Sequence, residues 1–252
     1  MTRLLRFFVA LALLLPLPAA AMTIERVTSP GGIEAWLVRD RSIPVVALEY
    51  SFRGGSALEA PGKEGTASLL AAMLIEGAGE YESQRFQSAL EDRVVSLGFD
   101  AGLDTFNGSL KTLTENLDFS ADMLRLALTA PRFDTADLER VKARTAIGLR
   151  RAAEEPSTIA GRLWMSTAFA DHPYGRPTRG TPETVTALDA LHFGDASYVD
   201  EVREAPFDAP HVRGDAGEEL GRQGGDHAFG NVVAVARADV PRSEEHTSEL
   251  QS

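Results

Sequence analysis

The chain has 252 residues, a formal net charge of −12 and no cysteine. With 37 Asp and Glu against 25 Lys and Arg, it is ill suited to nucleic acid or anionic membrane surfaces as partners. Without cysteine it has neither disulfides nor thiolate metal sites.

Residues 1–21 place Arg3 and Arg6 around the start of an apolar run from Leu4 to Pro18, followed by Ala19, Ala20 and Ala21. A basic n-region, an h-region and an Ala-x-Ala site in that order predict a secretory signal peptide, cleaved to leave a mature chain starting near Met22. The run is short of the roughly 18–20 apolar residues of a membrane span, and Pro16 and Pro18 interrupt its end. An exported chain without cysteine fits the periplasm of a Gram-negative bacterium, so a periplasmic or secreted location is expected. Residues 242–252 resemble the translation of a sequencing-adapter oligonucleotide and read as an artefactual tail. The leader holds two Arg, and the tail one Arg and three Glu, so residues 22–241 keep the net charge of −12. They suffice for one sizeable domain.

Residues 24–28 and 33–39 alternate around Ser29-Pro30-Gly31-Gly32, which predicts a hairpin. Residues 44–52, with Val45, Val46, Tyr50 and Phe52, read as a third strand. After Gly54-Gly55 and Pro61-Gly62-Lys63 comes a short apolar helix. Its Leu69, Leu70, Met73 and Leu74 fall at helical spacing, and Gly77 and Gly79 can end it. Residues 83–97 predict a helix capped by Ser83, with Phe86, Leu90, Val94 and Leu97 on one stripe. Residues 99–113 alternate as a β-ribbon whose strongest turn signal is Asn107-Gly108. Asn116 can cap a helix striped by Leu117, Ala121, Leu124 and Leu128, which Pro131 stops. Asp134 caps a long helix through Ala153, with Leu138, Val141, Leu149 and Ala152 on one side. Pro156-Ser157 opens another, to about Phe169. A turn-rich stretch from Asp171 to Gly180 follows. Beyond Ala190 the apolar pattern decays. Residues 192–225 read either as a shift of reading frame or as a genuine irregular segment, and so long a structureless stretch is unusual in a compact domain.

The run Gly65-Thr66-Ala67-Ser68-Leu69-Leu70-Ala71-Ala72-Met73-Leu74 resembles the signature helix of the pitrilysin/insulinase family of zinc metallopeptidases (mitochondrial-processing-peptidase-like). That family writes Gly-x-Ala-His-x-x-Glu-His-Met-Leu. The resemblance extends from about Ile24 to Leu188. It includes the order of three strands, a glycine-rich turn and this helix, the passage Asp40-Arg41-Ser42-Ile43-Pro44-Val45-Val46-Ala47, and His172-Pro173-Tyr174-Gly175 with Gly180 and Glu183 after it. It implies an α/β (α+β) fold: a mixed, largely antiparallel sheet with helices packed on one face. It also puts the ribbon turn two or three residues before Asn107-Gly108, which leaves the register open.

A catalytic zinc needs three protein ligands and an open position for water. Two His one helical turn apart supply two of them, and a Glu between them is the base. Here Ser68 and Ala72 stand at the His positions and Ala71 at the Glu. Anchored on Glu154-Glu155-Pro156, the family's distal Glu ligand falls at Ile147 or Gly148. All four working residues are absent. The histidines His172, His192, His211, His227 and His246 have no second ligand at helical spacing, and His172, before proline in a turn, reads as a structural or capping residue. There is no Gly-x-Ser-x-Gly elbow, cysteine nucleophile or phosphate loop.

In many two-subunit members of the family, one subunit carries zinc while the other lacks the ligands and helps to bind the peptide. Members also work as pairs of homologous domains, of which this chain would hold the first. The resemblance therefore implies a non-catalytic subunit, itself without cofactor, that completes the peptide-binding chamber of a zinc-bearing partner. Its partners would be that subunit and a peptide substrate, with no nucleic acid, and no membrane after signal cleavage. Two alternatives are an active zinc metalloendopeptidase with unconventional ligands and a free-standing exported binding protein. Cleavage after Ala21 is testable by mass spectrometry of the native protein: a chain starting at Met22 is expected, and an intact Met1 in a membrane pellet would contradict it.

Overall fold

The computed structural model describes residues 23–28, 34–40, 42–190, 193 and 231–238. The expected signal peptide, the expected adapter-like tail and, apart from Phe193, the stretch 192–225 lie outside the described residues.

Among the described residues, eight strands and six α-helices follow in chain order: β1 (Ile24–Thr28), β2 (Glu34–Asp40), β3 (Val45–Arg53), α1 (Thr66–Met73), β4 (Gly77–Ala78), β5 (Tyr81–Glu82), α2 (Ser83–Glu91), β6 (Ser96–Ala101), β7 (Thr105–Leu113), α3 (Leu117–Thr129), α4 (Thr135–Ala152), α5 (Pro156–Ala168), α6 (Pro182–Ala187) and β8 (Asn231–Ala238). Six strands form one sheet in the order β1-β2-β8-β3-β7-β6. β8 lies parallel to β3, and every other pair is antiparallel. This is the mixed, largely antiparallel sheet of the expected α+β class.

Alternation along the strands puts one face of the sheet in the core. Val46, Tyr50 and Phe52 of β3 are buried, while Glu49 and Arg53 on the alternate positions are exposed. Phe106 and Leu110 of β7 are buried on the same side. The helices fill that face: Leu69, Leu70 and Met73 from α1, Met123, Leu124 and Leu128 from α3, and Leu138, Val141 and Leu149 from α4 form one cluster with the strand residues. Phe86 and Leu90 of α2 join them.

The predicted turn at Asn107-Gly108 is a mid-strand pair. Asn107 faces Ser51 and Asp100, and Gly108 faces Tyr50 and Phe99. The chain reverses earlier, at Gly102-Leu103-Asp104, where the Gly102 N–H donates to the Thr105 carbonyl at 2.8 Å. The glycine serves a packing purpose. The Tyr50 ring lies across Gly108, so a Cβ there would collide with it. Asn107 is also used locally: its Oδ1 accepts from Ser51 Oγ at 2.9 Å.

The helix predicted over 83–97 ends at Glu91. The Val94 N–H donates to the Glu91 carbonyl, and the Val95 N–H reaches back to Leu90 at 2.9 Å. That closes a Schellman-type end with Val94 left-handed at φ 56°. Leu97 therefore packs from β6, and Val94 is 70% exposed. The three expected caps sit at or beside the helix starts but cap nothing. The Ser83 hydroxyl donates to Glu76 at 2.7 Å, the Asn116 amide donates to the Arg93 carbonyl at 3.0 Å, and Asp134 accepts from Arg132 at 2.7 Å.

Replacing Gly108 by Val should destabilise the fold by about 1–3 kcal/mol, the usual range for overpacking a tight core. Tyr50 has little room to yield, being edge-on to both Phe52 and Phe99. Urea unfolding measures this as a lower midpoint at unchanged slope.

Candidate functional site

The region matching the lost motif is built around α1. Gly65 precedes the helix with φ 98°, a left-handed geometry that suits glycine. A Cβ on Gly65 would also sit 2.8 Å from the Arg179 carbonyl oxygen. The buried Glu59 carboxylate caps the helix, accepting from the Gly65 N–H at 2.9 Å and the Ala67 N–H at 2.8 Å. A carboxylate there satisfies two helix-terminal donors and suits the positive end of the dipole. Burial pushes Glu59 up to about 7, and the two N–H donors only partly oppose it.

A second buried carboxylate, Glu76, lies just past the other end of α1. It accepts from Arg140 Nη2 at 2.8 Å, Ser83 Oγ at 2.7 Å and Arg144 Nη2 at 3.3 Å. Burial alone would raise its pKa, but the bonds from Arg140 and Ser83 outweigh it, and the carboxyl is held below its ordinary value. Arg140 also binds Asp137 at 2.6 Å. These groups line an open hollow of about 510 Å³ with Gln84 and Gln87.

Between these two carboxylates the motif positions are apolar or small. Ser68 and Ala72 are half-buried and one turn apart, and Ala71 is 4% exposed. α1 packs on α4, so the helices carrying the four positions touch. On α4, Ile147 is 49% exposed, and a Cβ built on Gly148 would meet nothing within 4 Å. None of the positions aligned with the family's motif carries a His, Glu or Asp. Among the described residues, no group of three or more His, Cys, Asp or Glu is placed to hold a metal ion. The residues at the motif do not fit a zinc ion.

The stretch after α5 acts as a strap over the entrance to α1. His172 Nδ1 accepts from the Tyr174 N–H at 3.2 Å, in keeping with a capping histidine. The Tyr174 hydroxyl donates to Asp104 at 2.7 Å. Arg176 donates to the carbonyls of Glu59 at 2.6 Å and Ala57 at 3.4 Å. Gly180 lies against the Glu64 carbonyl, which also accepts from the Thr184 hydroxyl at 2.8 Å. The Glu59–Arg176 and Glu76–Arg140–Arg144 groups escaped sequence reasoning. Only the spacing of Asp137, Arg140 and Arg144 on one helix hinted at the second.

The insulinase family, peptidase family M16, matches residues 36–182. The chain belongs to this family. The non-peptidase homolog YmxG of Helicobacter pylori is 26% identical over 178 residues, which cover 71% of this M16 chain and 41% of that protein. An uncharacterized zinc protease of Streptomyces coelicolor is 23% identical over 168 residues, 67% of this chain and 37% of its own. The fold is similar to that of a peptidase M16 inactive domain from Pseudomonas fluorescens, with a TM-score of 0.65 at 20% identity, covering 88% of this chain and 48% of that one. A protease from Helicobacter pylori gives 0.63 at 15% identity with the same coverage. The chain thus spans about half the length, or less, of the relatives it matches.

The Glu59 carboxyl, at about 7 when folded, stands above the ordinary 4.5. Its stabilising contribution is complete below about 4.5 and is lost as pH rises through 7. Urea unfolding from pH 4.5 to 8 should show the wild type losing stability relative to Glu59→Gln across that window. Parallel curves would refute the assignment.

Proposed function

We propose that this M16-family chain is an exported, catalytically inactive subunit that completes the peptide-binding chamber of a zinc-bearing partner peptidase. One observation carries the reading. The signature helix keeps its frame, its glycine entry and its strap, while Ser68, Ala71, Ala72 and Gly148 stand at the three ligand positions and the base. The names non-peptidase homolog and inactive domain borne by two of its relatives support it. The competing reading, a zinc endopeptidase with unconventional ligands, draws on the zinc protease named among its relatives. It lacks a ligand cluster among the described residues.

What the chain contributes in this reading is shape. The face of the sheet opposite the helices carries Glu49, Arg53 and Lys111, all exposed. Such a surface can line a chamber without performing chemistry.

Metal analysis of the dialysed mature protein should find no stoichiometric zinc; about one tightly held zinc per chain would overturn the proposal. The combined change Ser68→His, Ala71→Glu and Ala72→His should not produce chelator-sensitive hydrolysis of a quenched fluorescent peptide, with or without Gly148→Glu. It leaves the ligand set without its supporting contacts. It also sets a carboxylate at Ala71, a nearly closed position where an unpaired charge is costly. Turnover by the triple variant alone would show that the distal ligand lies elsewhere.

A further inference from the structure

In the hollow past the end of α1, about 510 Å³ in volume, the acidic groups are engaged while arginine donors are left over. Both oxygens of the buried Glu76 are taken, Oε2 by Arg140 Nη2 at 2.8 Å and Ser83 Oγ at 2.7 Å, and Oε1 by Arg144 Nη2 at 3.3 Å. Asp137 Oδ1 accepts from Arg140 at 2.6 Å. Burial pushes the Glu76 carboxyl up, but the bonds from Arg140 and Ser83 bring it below its ordinary value, so it stays ionised and fixes both guanidinium groups. Arg144 gives that carboxylate one nitrogen. Its Nε and Nη1 have no hydrogen-bond partner among the described residues, and its side chain is 63% exposed. An arginine held at one nitrogen by a buried acid is a preorganised fork for a second acceptor. Beside it, Gln87 Nε2 donates to the Ile75 carbonyl at 2.6 Å, which fixes the amide and leaves its oxygen to accept.

These groups set the chemistry of a ligand. Donors without partners call for a molecule that brings acceptors, and the arginine fork matches a carboxylate or a phosphate. Charge decides between the two. Glu76 and Asp137 balance Arg140 and Arg144, so a doubly charged phosphate would enter a hollow with no surplus of positive charge, whereas a carboxylate brings a single negative charge. The volume lies within the range of small-ligand sites. We propose that this hollow binds a carboxylate of a peptide, anchored by the Arg144 guanidinium, with the Gln87 amide oxygen accepting from the adjoining peptide N–H. The carboxylate is either the chain end or an acidic side chain. The inference rests on the reading of this chain as peptide-binding and names the chemical group that it grips.

The test titrates the mature chain with N-acetyl-trialanine, with its C-terminal amide, with that amide carrying glutamate at its middle position, and with inorganic phosphate. Binding is read from the arginine Nε–H signals in NMR spectra. The free acid should move the Arg144 signal, and the plain amide should not. Arg144→Gln should weaken binding of the acid at least about tenfold, the loss of a charged hydrogen bond. Arg144→Lys, which keeps the charge but not the fork, should recover only part of it. Arg140 and Ser83 still hold Glu76 in both variants, so circular dichroism should stay at its wild-type form. Arg150→Gln, exposed on the same helix, is the control and should bind as the wild type does. Binding of the glutamate-bearing amide assigns the carboxylate to a side chain, and binding of the free acid alone assigns it to the chain end; both support the proposal. Equal binding of acid and plain amide, tighter binding of phosphate, no binding at all, or full binding by Arg144→Gln overturns it. None of these results bears on the zinc content that tests the proposed function. Stoichiometric zinc in a chain that binds the acid would overturn that function and leave the carboxylate site standing.

Discussion

Glu59 carries a carboxylate into a place with little water, where two backbone N–H groups at the start of α1 meet it. Much of the site region follows from that contact. Arg176 reaches across from the strap to the carbonyl of the same residue, so the loop before α1 is held from both sides. Gly65 and Gly180 let the two backbones approach within a distance that no side chain would allow. The arrangement is tight because an unpaired buried carboxylate, or an open helix end without partners, is costly. The geometry of α1 is therefore set by polar contacts at its ends as much as by Leu69, Leu70 and Met73 in its middle.

The far end of α1 repeats the principle with different chemistry. Glu76 is held by two arginines and a serine, and the arginines belong to α4. This ties α1 to the helix that would supply the distal ligand of a working site. The two helices are thus fixed in register by an ion-pair group that owes nothing to metal. A zinc ion usually locks such helices together on its own account. Here charge pairing and apolar packing join the two helices, and small side chains fill the aligned positions Ser68, Ala71, Ala72 and Gly148.

The strands β1 to β3, the apolar helix α1 and the helices α3 to α5 were legible from periodicity and punctuation. A frame of Gly, Ala, Met and Leu in α1 carried the alignment of Ser68, Ala71 and Ala72 with the family's motif, while that of Ile147 or Gly148 rested on Glu154-Glu155-Pro156 alone. Three features were not legible. Asn107-Gly108 carries a turn signal, yet its glycine answers to the Tyr50 ring on a neighbouring strand, a contact that no local pattern records. The end of α2 depends on Val94 adopting a left-handed conformation that β-branched residues avoid. Ser83, Asn116 and Asp134 mark helix starts, but their side chains are drawn to Glu76, Arg93 and Arg132, partners that sequence spacing leaves unseen.

The place of β8 has a consequence for the order of events in making this molecule. β2 and β3 are separated by only a few residues in the chain, yet they do not pair with each other. Each pairs instead with a strand that begins at Asn231. Without that strand the sheet would be two pieces, β1-β2 and β3-β7-β6, with a gap one strand wide between them. Both rims of the gap present unpaired backbone groups that invite foreign strands. Closing it joins residues nearly two hundred positions apart, a contact of the slow, non-local kind. The pairing of β8 thus closes two open strand edges in one late step.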